Sequence, residues 1–128
     1  MAGADRKRAE ARGRRAETFA SFVLRLKGYS VLAVRQKTRS GEIDLVCRKR
    51  GVMVLVEVKL RPDIEAGRSA VPDASWVRIA RAADLWLGGR GPDYYNAGRR
   101  YDLFIVTPGF RFCHIPDAWR PDYPLTPG

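Results

Sequence analysis

The sequence predicts an α/β layer structure. Three observations lead there: strand-like runs rich in Val, Ile and Leu, two amphipathic helical stretches set among them, and glycine or proline at their boundaries. A chain of 128 residues with 45% hydrophobic content can bury a real core and is one domain by size. The expected domain is the whole chain, residues 1–128, with a basic segment 1–12 and a proline-rich tail 116–128 as its less ordered ends. There is no internal repeat.

Ala16, Phe19, Ala20, Val23 and Leu24 follow the spacing of a buried helix face, and Gly28 after Lys27 supplies a stop. Residues 31–34 read as a strand, followed by a polar, basic approach through Gln36, Lys37, Thr38, Arg39 and Ser40. Two runs, 41–48 and 52–59, then have strand composition, and Arg50-Gly51 between them suits a two-residue hairpin turn with glycine where a positive φ is needed. Residues 61–69 read as a loop. A second helix is expected from Asp73 to Leu87, with Ile79, Ala82, Ala83, Trp86 and Leu87 inward and Gly88-Gly89 as terminator. Residues 101–107 and 110–114 read as two further strands around Pro108-Gly109.

The hairpin carries the most informative residues. A two-residue turn fixes the register so that Asp44 stands opposite Glu57 and Glu42 opposite Lys59, four ionisable groups in one patch. Like charges directly opposed destabilise a sheet, so Asp44 and Glu57 need something to share. A proton does this by raising one pKa. A divalent cation such as Mg²⁺, which takes oxygen ligands, does it better. A purely solvated charged face is the bland alternative.

The formal net charge of +10 and a pI near 10.3 favour a polyanionic partner, nucleic acid by default. Basic residues concentrate before the hairpin, and Arg12, Arg14, Arg15, Gln36, Lys37, Arg39 and Arg61 are the expected phosphate contacts. No apolar run approaches the roughly 20 residues of a bilayer crossing, and the N-terminus lacks the apolar core of a signal peptide. A cytoplasmic protein with no membrane partner is expected. Cys47 and Cys113 form no Cys-x-x-Cys pair, so they read as buried thiols; His114, the one histidine, reads as structural, as do Trp76 and Trp86.

Asp44 followed by Glu57-Val58-Lys59 resembles the PD-(D/E)XK nuclease motif. A wider set, Gly13-Arg14-Arg15-Ala16-Glu17, Gly28-Tyr29, Gly41-Glu42-Ile43-Asp44-Leu45, Val56-Glu57-Val58-Lys59-Leu60-Arg61, Arg78-Ile79-Ala80-Arg81-Ala82-Ala83 and Arg100-Tyr101-Asp102, is similar to the uncharacterised bacterial YraN-like family. That family in turn resembles archaeal Holliday-junction resolvases. The resemblance implies a restriction-endonuclease-like three-layer fold, a mixed central β-sheet flanked by helices. It also implies Mg²⁺ or Mn²⁺ bound by Asp44, Glu57, the Val58 carbonyl and a helical acid matching Glu17. Three positions depart from the pattern: Ala16 for a common Gly, Ser75 for a frequent helical Lys, and Ile43 for the Pro of the motif's name.

The expected chemistry is metal-assisted phosphodiester hydrolysis in DNA, of branched or structured form on the resolvase resemblance. Asp44, Glu57, Lys59 and Glu42 form the candidate catalytic set. Lys59 would orient the attacking water, and Glu42 would either hold Lys59 by a cross-strand pair or add a ligand. A form that cuts a symmetric junction on two strands would be a homodimer. The competing readings are a nucleic-acid-binding module that keeps the fold without cutting, and a small basic RNA-binding or ribosome-associated protein. Asp102 is expected to be structural, through an ion pair with a nearby Arg.

Overall fold

The computed structural model describes residues 2–121. Its elements in order are α1 (Ala2–Leu26), β1 (Ser30–Thr38), β2 (Gly41–Lys49), β3 (Val52–Leu60), α2 (Ile64–Arg68), α3 (Asp73–Gly88), α4 (Pro92–Tyr95), β4 (Gly98–Thr107) and β5 (Arg111–Trp119). One mixed sheet runs in the order β1-β2-β3-β4-β5, antiparallel throughout except for the parallel β3–β4 pair. The single parallel pair requires a crossover, and α2, α3 and α4 lie in it.

Alternation along β3 divides the core into two layers. Val54, Val56 and Val58 pack with Ala16, Ala20, Val23 and Leu24 of α1, whereas Met53 and Leu55 pack with Trp76, Ile79, Ala82, Ala83 and Leu87 of α3. Helices therefore cover both faces of the sheet, the three-layer α/β arrangement expected of a restriction-endonuclease-like fold. Both faces of the central strands are buried, which is why β3 reads as a near-continuous run of Val, Met and Leu.

The β2–β3 turn has the expected length and register: Lys49 pairs with Val52 and Leu45 with Val56. Arg50 and Gly51 both adopt positive φ, 51° and 79°, the two left-handed residues that a type I′ turn needs. Gly28 also takes a positive φ, 91°, where α1 stops.

Four boundaries differ from expectation. The basic segment expected to be less ordered is helical from Ala2, although almost all of residues 2–15 are exposed and the buried face begins at Ala16. Gln36, Lys37 and Thr38 belong to β1 rather than to a loop. Residues 61–69 contain α2, capped by the Asp63 carboxylate accepting the Ala66 N–H. The tail from Pro116 is strand as far as Trp119, on the edge strand where a proline lacking its N–H is tolerated; residues 122–128 lie outside the described residues. Among the described residues no helix is long and apolar enough to cross a membrane.

Candidate active site

β2 and β3 part company beyond Leu45↔Val56: the β1–β2 ladder continues to Thr38↔Gly41 and the β3–β4 ladder to Leu60↔Val106, but no ladder joins β2 to β3 there. Asp44 sits at this fork. Its Oδ2 accepts the backbone N–H of Val58 at 2.9 Å, so a carboxylate takes the place of a ladder carbonyl. The alternation of faces breaks at the same residue, since Ile43 packs under α3 while Leu45, two residues on, packs under α1. Across β1 the register reaches Arg35, whose φ of 52° is unusual for a residue other than glycine.

Glu57, on the other arm of the fork, is mostly buried, and its carboxyl meets that of Asp44 closely enough to share a hydrogen bond. Burial, then that hydrogen bond and the Asp44 charge, push its pKa far above the carboxylate range, against the pull of Lys59. Lys59 Nζ lies 3.5 Å from Glu57 Oε2. Glu17 reaches the same cluster from α1. Burial and then the charge of Asp44 raise its pKa to about 7, with Arg35 opposing and Glu42 adding to the rise. The opposed acids expected from the hairpin register are thus found together, with the helical Glu beside them.

Glu42 differs from expectation. It pairs with Arg35, 3.9 Å away, while Lys59 pairs with Glu57, so the cross-strand Glu42–Lys59 contact is replaced by two separate ion pairs. The reason is the fork, which ends the β2–β3 ladder before Glu42 is reached. Arg35, which also lies 3.5 Å from Glu17 Oε1, is the residue that sequence reasoning missed. Only its place opposite Asp44 in the β1–β2 register marks it, and that register is invisible without the length of β1.

The donor set suits a hard divalent cation. Glu17 Oε1 is buried with no hydrogen-bond partner, and the charge of Asp44 adds to burial in raising the pKa of both Glu17 and Glu57. Among the described residues no three acids, histidines or cysteines are already gathered as a finished metal cage. Mg²⁺ does not require one, because it is commonly held by one or two carboxylates and keeps several waters.

The expected phosphate contacts fall into two groups at the same end of the sheet. Arg12, Arg14 and Arg15 are exposed on α1, whose residues 2–15 extend about 21 Å at the helical rise. Lys37 and Arg39 are exposed at the β1–β2 turn and line a hollow with Trp86 and Arg90. Two of the expected contacts are already engaged: the Gln36 amide donates to the Val34 carbonyl and accepts from Trp86 Nε1, and Arg61 Nη1 donates to the Leu60 carbonyl. Ser75, at the position of the frequent helical Lys, accepts from Arg78 Nη2 at 2.9 Å.

The model of the family described as "Uncharacterised protein family UPF0102" matches residues 16–106, well over half of the chain. The chain belongs to UPF0102. It is 49% identical over 114 residues to a UPF0102 protein of Chelativorans sp. (strain BNC1), covering 89% of this chain and 91% of that one. It is 45% identical to a UPF0102 protein of Rhizobium etli, covering 89% and 93%, and 44% identical to one of Rhizobium meliloti, covering 84% and 88%. The UPF0102 match begins one residue before Glu17 and takes in Glu42, Asp44, Glu57 and Lys59, whereas the exposed basic half of α1 precedes it.

Asp102 on β4 and His114 on β5 belong to one hydrogen-bonded network. Asp102 is fully buried and accepts from Arg100 Nε and Nη2, from the Asp117 N–H and, at 2.8 Å, bonds His114 Nε2. Cys47 is buried and Cys113 half-buried, both as free thiols. Trp76 is buried in the α3 layer.

Proposed function

We propose that this protein is a metal-dependent endonuclease that hydrolyses phosphodiester bonds in DNA. The observation that carries the reading is the fork itself: Asp44 and Glu57 share one space, Lys59 stands 3.5 Å from Glu57, and Glu17 brings a buried oxygen that no hydrogen bond satisfies. A pure binding surface for a polyanion has no use for two opposed carboxylates facing its ligand.

Asp44, Glu57 and Glu17 would hold Mg²⁺ or Mn²⁺, with the Val58 carbonyl as a further donor by resemblance. Such an ion polarises a phosphate oxygen and lowers the pKa of water. Lys59 offers a positive charge 3.5 Å from Glu57 and offsets negative charge as it develops on the phosphate. The Val58 N–H holds Asp44 in place, so that carboxylate arrives pre-oriented. Arg35 keeps Glu17 and Glu42 at the fork while leaving Glu17 Oε1 without a hydrogen bond. The exposed basic half of α1 supplies the charge that captures the backbone.

Cleavage of end-labelled branched, flapped and linear DNA with Mg²⁺, Mn²⁺ or EDTA tests this, beside Asp44→Asn and Lys59→Ala. Metal-dependent cutting that both substitutions abolish is the expected result. Tight binding without cutting, indifferent to both substitutions, would replace the enzyme by a non-catalytic nucleic-acid-binding module.

A further inference from the structure

We propose that the cleft between α1 and the β4–β5 turn is a pocket for a single unpaired nucleobase, which stacks against Phe110 while Arg12 and Arg15 meet the flanking phosphates. The inference rests on the nucleic-acid reading above and names a substrate feature that this neighbouring cleft selects.

The cleft has a volume of about 210 Å³ and is floored by Ala16, Phe19, Leu60 and Val106, with Arg12 and Arg15 also lining it. Pockets for drug-sized ligands run from about 300 Å³ upward, so this one suits one planar ring system and not a whole nucleotide. Two features of Phe110 are costly and unexplained by packing alone. The residue is 69% exposed, and its φ is 58°, a left-handed conformation that bulky side chains avoid. The ring is nevertheless braced: Phe19 lies 5.2 Å away between centroids, Phe112 lies 5.7 Å from Phe19, and Phe112 stacks on buried Phe104 at 5.4 Å. A chain of aromatic rings thus runs from the core to an exposed face.

Position and charge identify the occupant. Leu60 is the last residue of β3 and Val106 its partner on β4, so the cleft opens at the end of the sheet where β2 and β3 separate. An apolar slot rimmed by two exposed arginines matches a base and its phosphates, because every base offers a π face and every linkage a negative charge. A saturated apolar ligand would have no use for the arginines. A phosphate alone would have no use for the rings.

The test is the affinity, in EDTA so that nothing is cut, of a labelled DNA hairpin carrying one unpaired thymidine against the same hairpin fully paired. The expected result is a preference of about tenfold for the bulged hairpin. Phe110→Ala and Phe110→Leu bring the ratio close to one without changing affinity for the paired hairpin, whereas Phe110→Tyr keeps the preference. Equal affinities in the unaltered protein, or a preference that survives Phe110→Ala, would overturn the proposal. So would a dimer that Phe110→Ala turns into a monomer in sedimentation, since the cleft would then be a contact between copies. A base preference without cutting under any metal would remove the endonuclease reading alone, and cutting without a base preference would remove this inference alone.

Discussion

The Asp44 carboxylate and the Val58 N–H are hydrogen-bonded at 2.9 Å across the point where β2 and β3 separate. The same device recurs across a second irregularity, between Tyr101 and Leu103 in the β4–β5 register, where Asp102 accepts the Asp117 N–H at 3.0 Å. Their chemistry diverges in what is left over. Both oxygens of Asp102 are taken by Arg100, with His114 and Asp117 adding to them. Asp44 gives one oxygen to Val58 and turns toward Glu57, so only Asp44 retains acceptor capacity for a ligand.

This bond predicts how Asp44→Asn should behave. The asparagine carbonyl can still accept from Val58, so the fork is kept while its negative charge is lost. Turnover should fall by at least about 10²-fold, the usual scale for one electrostatic contributor, and the thermal midpoint should hold to within a few degrees. Lys59→Ala should lower turnover on a similar scale. Thermal scans beside cleavage rates separate this from unfolding: equal losses of both would make Asp44 a structural residue.

The raised acids set a pH dependence. Glu57 and Glu17 bind protons more tightly in the folded protein than at the ordinary value of 4.5, so the folded state holds more protons and the metal-free protein loses stability as pH rises through the range above 4.5. For Glu17 the loss centres below about 7, and for Glu57 it continues to higher pH. Urea unfolding between pH 5 and 9 should show this decline, and Glu57→Gln should flatten it. Mn²⁺ must displace those protons, so its affinity should rise with pH across the same range and binding should release protons into a weak buffer. A pH-independent Mn²⁺ affinity would place the ion elsewhere.

The parts of the site that were legible follow from one short turn. Arg50-Gly51 sets the β2–β3 register as far as Leu45↔Val56, the pair that immediately precedes Asp44 and Glu57. The partner of Glu42 was not legible, because counting along paired strands assumes that they stay paired, and these separate at Asp44. Arg35 acts through a left-handed backbone in a strand, which no composition signals. The exposed half of α1 lacks an apolar stripe, so nothing periodic announces it; residues such as Ala, Arg and Glu, which lose little entropy in a helix, carry it instead. Four-residue α4 is too short for any period, and only Pro92 at its first turn marks it.

Gly67 predicts a packing limit close to the site. A Cβ there would collide with Ile105 Cγ2, so α2 can lie on β4 only because residue 67 has no side chain. Gly67→Ala should destabilise the protein by about 1–3 kcal/mol, the range for overpacking a tight contact. Denaturant unfolding measures it. Ile105→Val in the same chain should not restore the full loss, because the γ2 methyl that clashes is retained.

Asp102 offers the sharpest stability test away from the acids at the fork. Burial alone would raise its pKa, but hydrogen bonds from Arg100, His114 and the Asp117 N–H outweigh that and hold it below the ordinary 3.8. A carboxylate depressed in the folded state contributes stability above its unfolded pKa, and the contribution is lost as pH falls through the lower folded value. Asp102→Ala leaves the Arg100 guanidinium and the His114 ring without their shared partner, a change that costs about 3–5 kcal/mol when a buried pair is broken from one side. Unfolding at pH 7 should show that loss, and the gap between the unaltered protein and Asp102→Ala should narrow only below about pH 4. An unchanged midpoint at pH 7 would mean that the network merely decorates the β4–β5 irregularity.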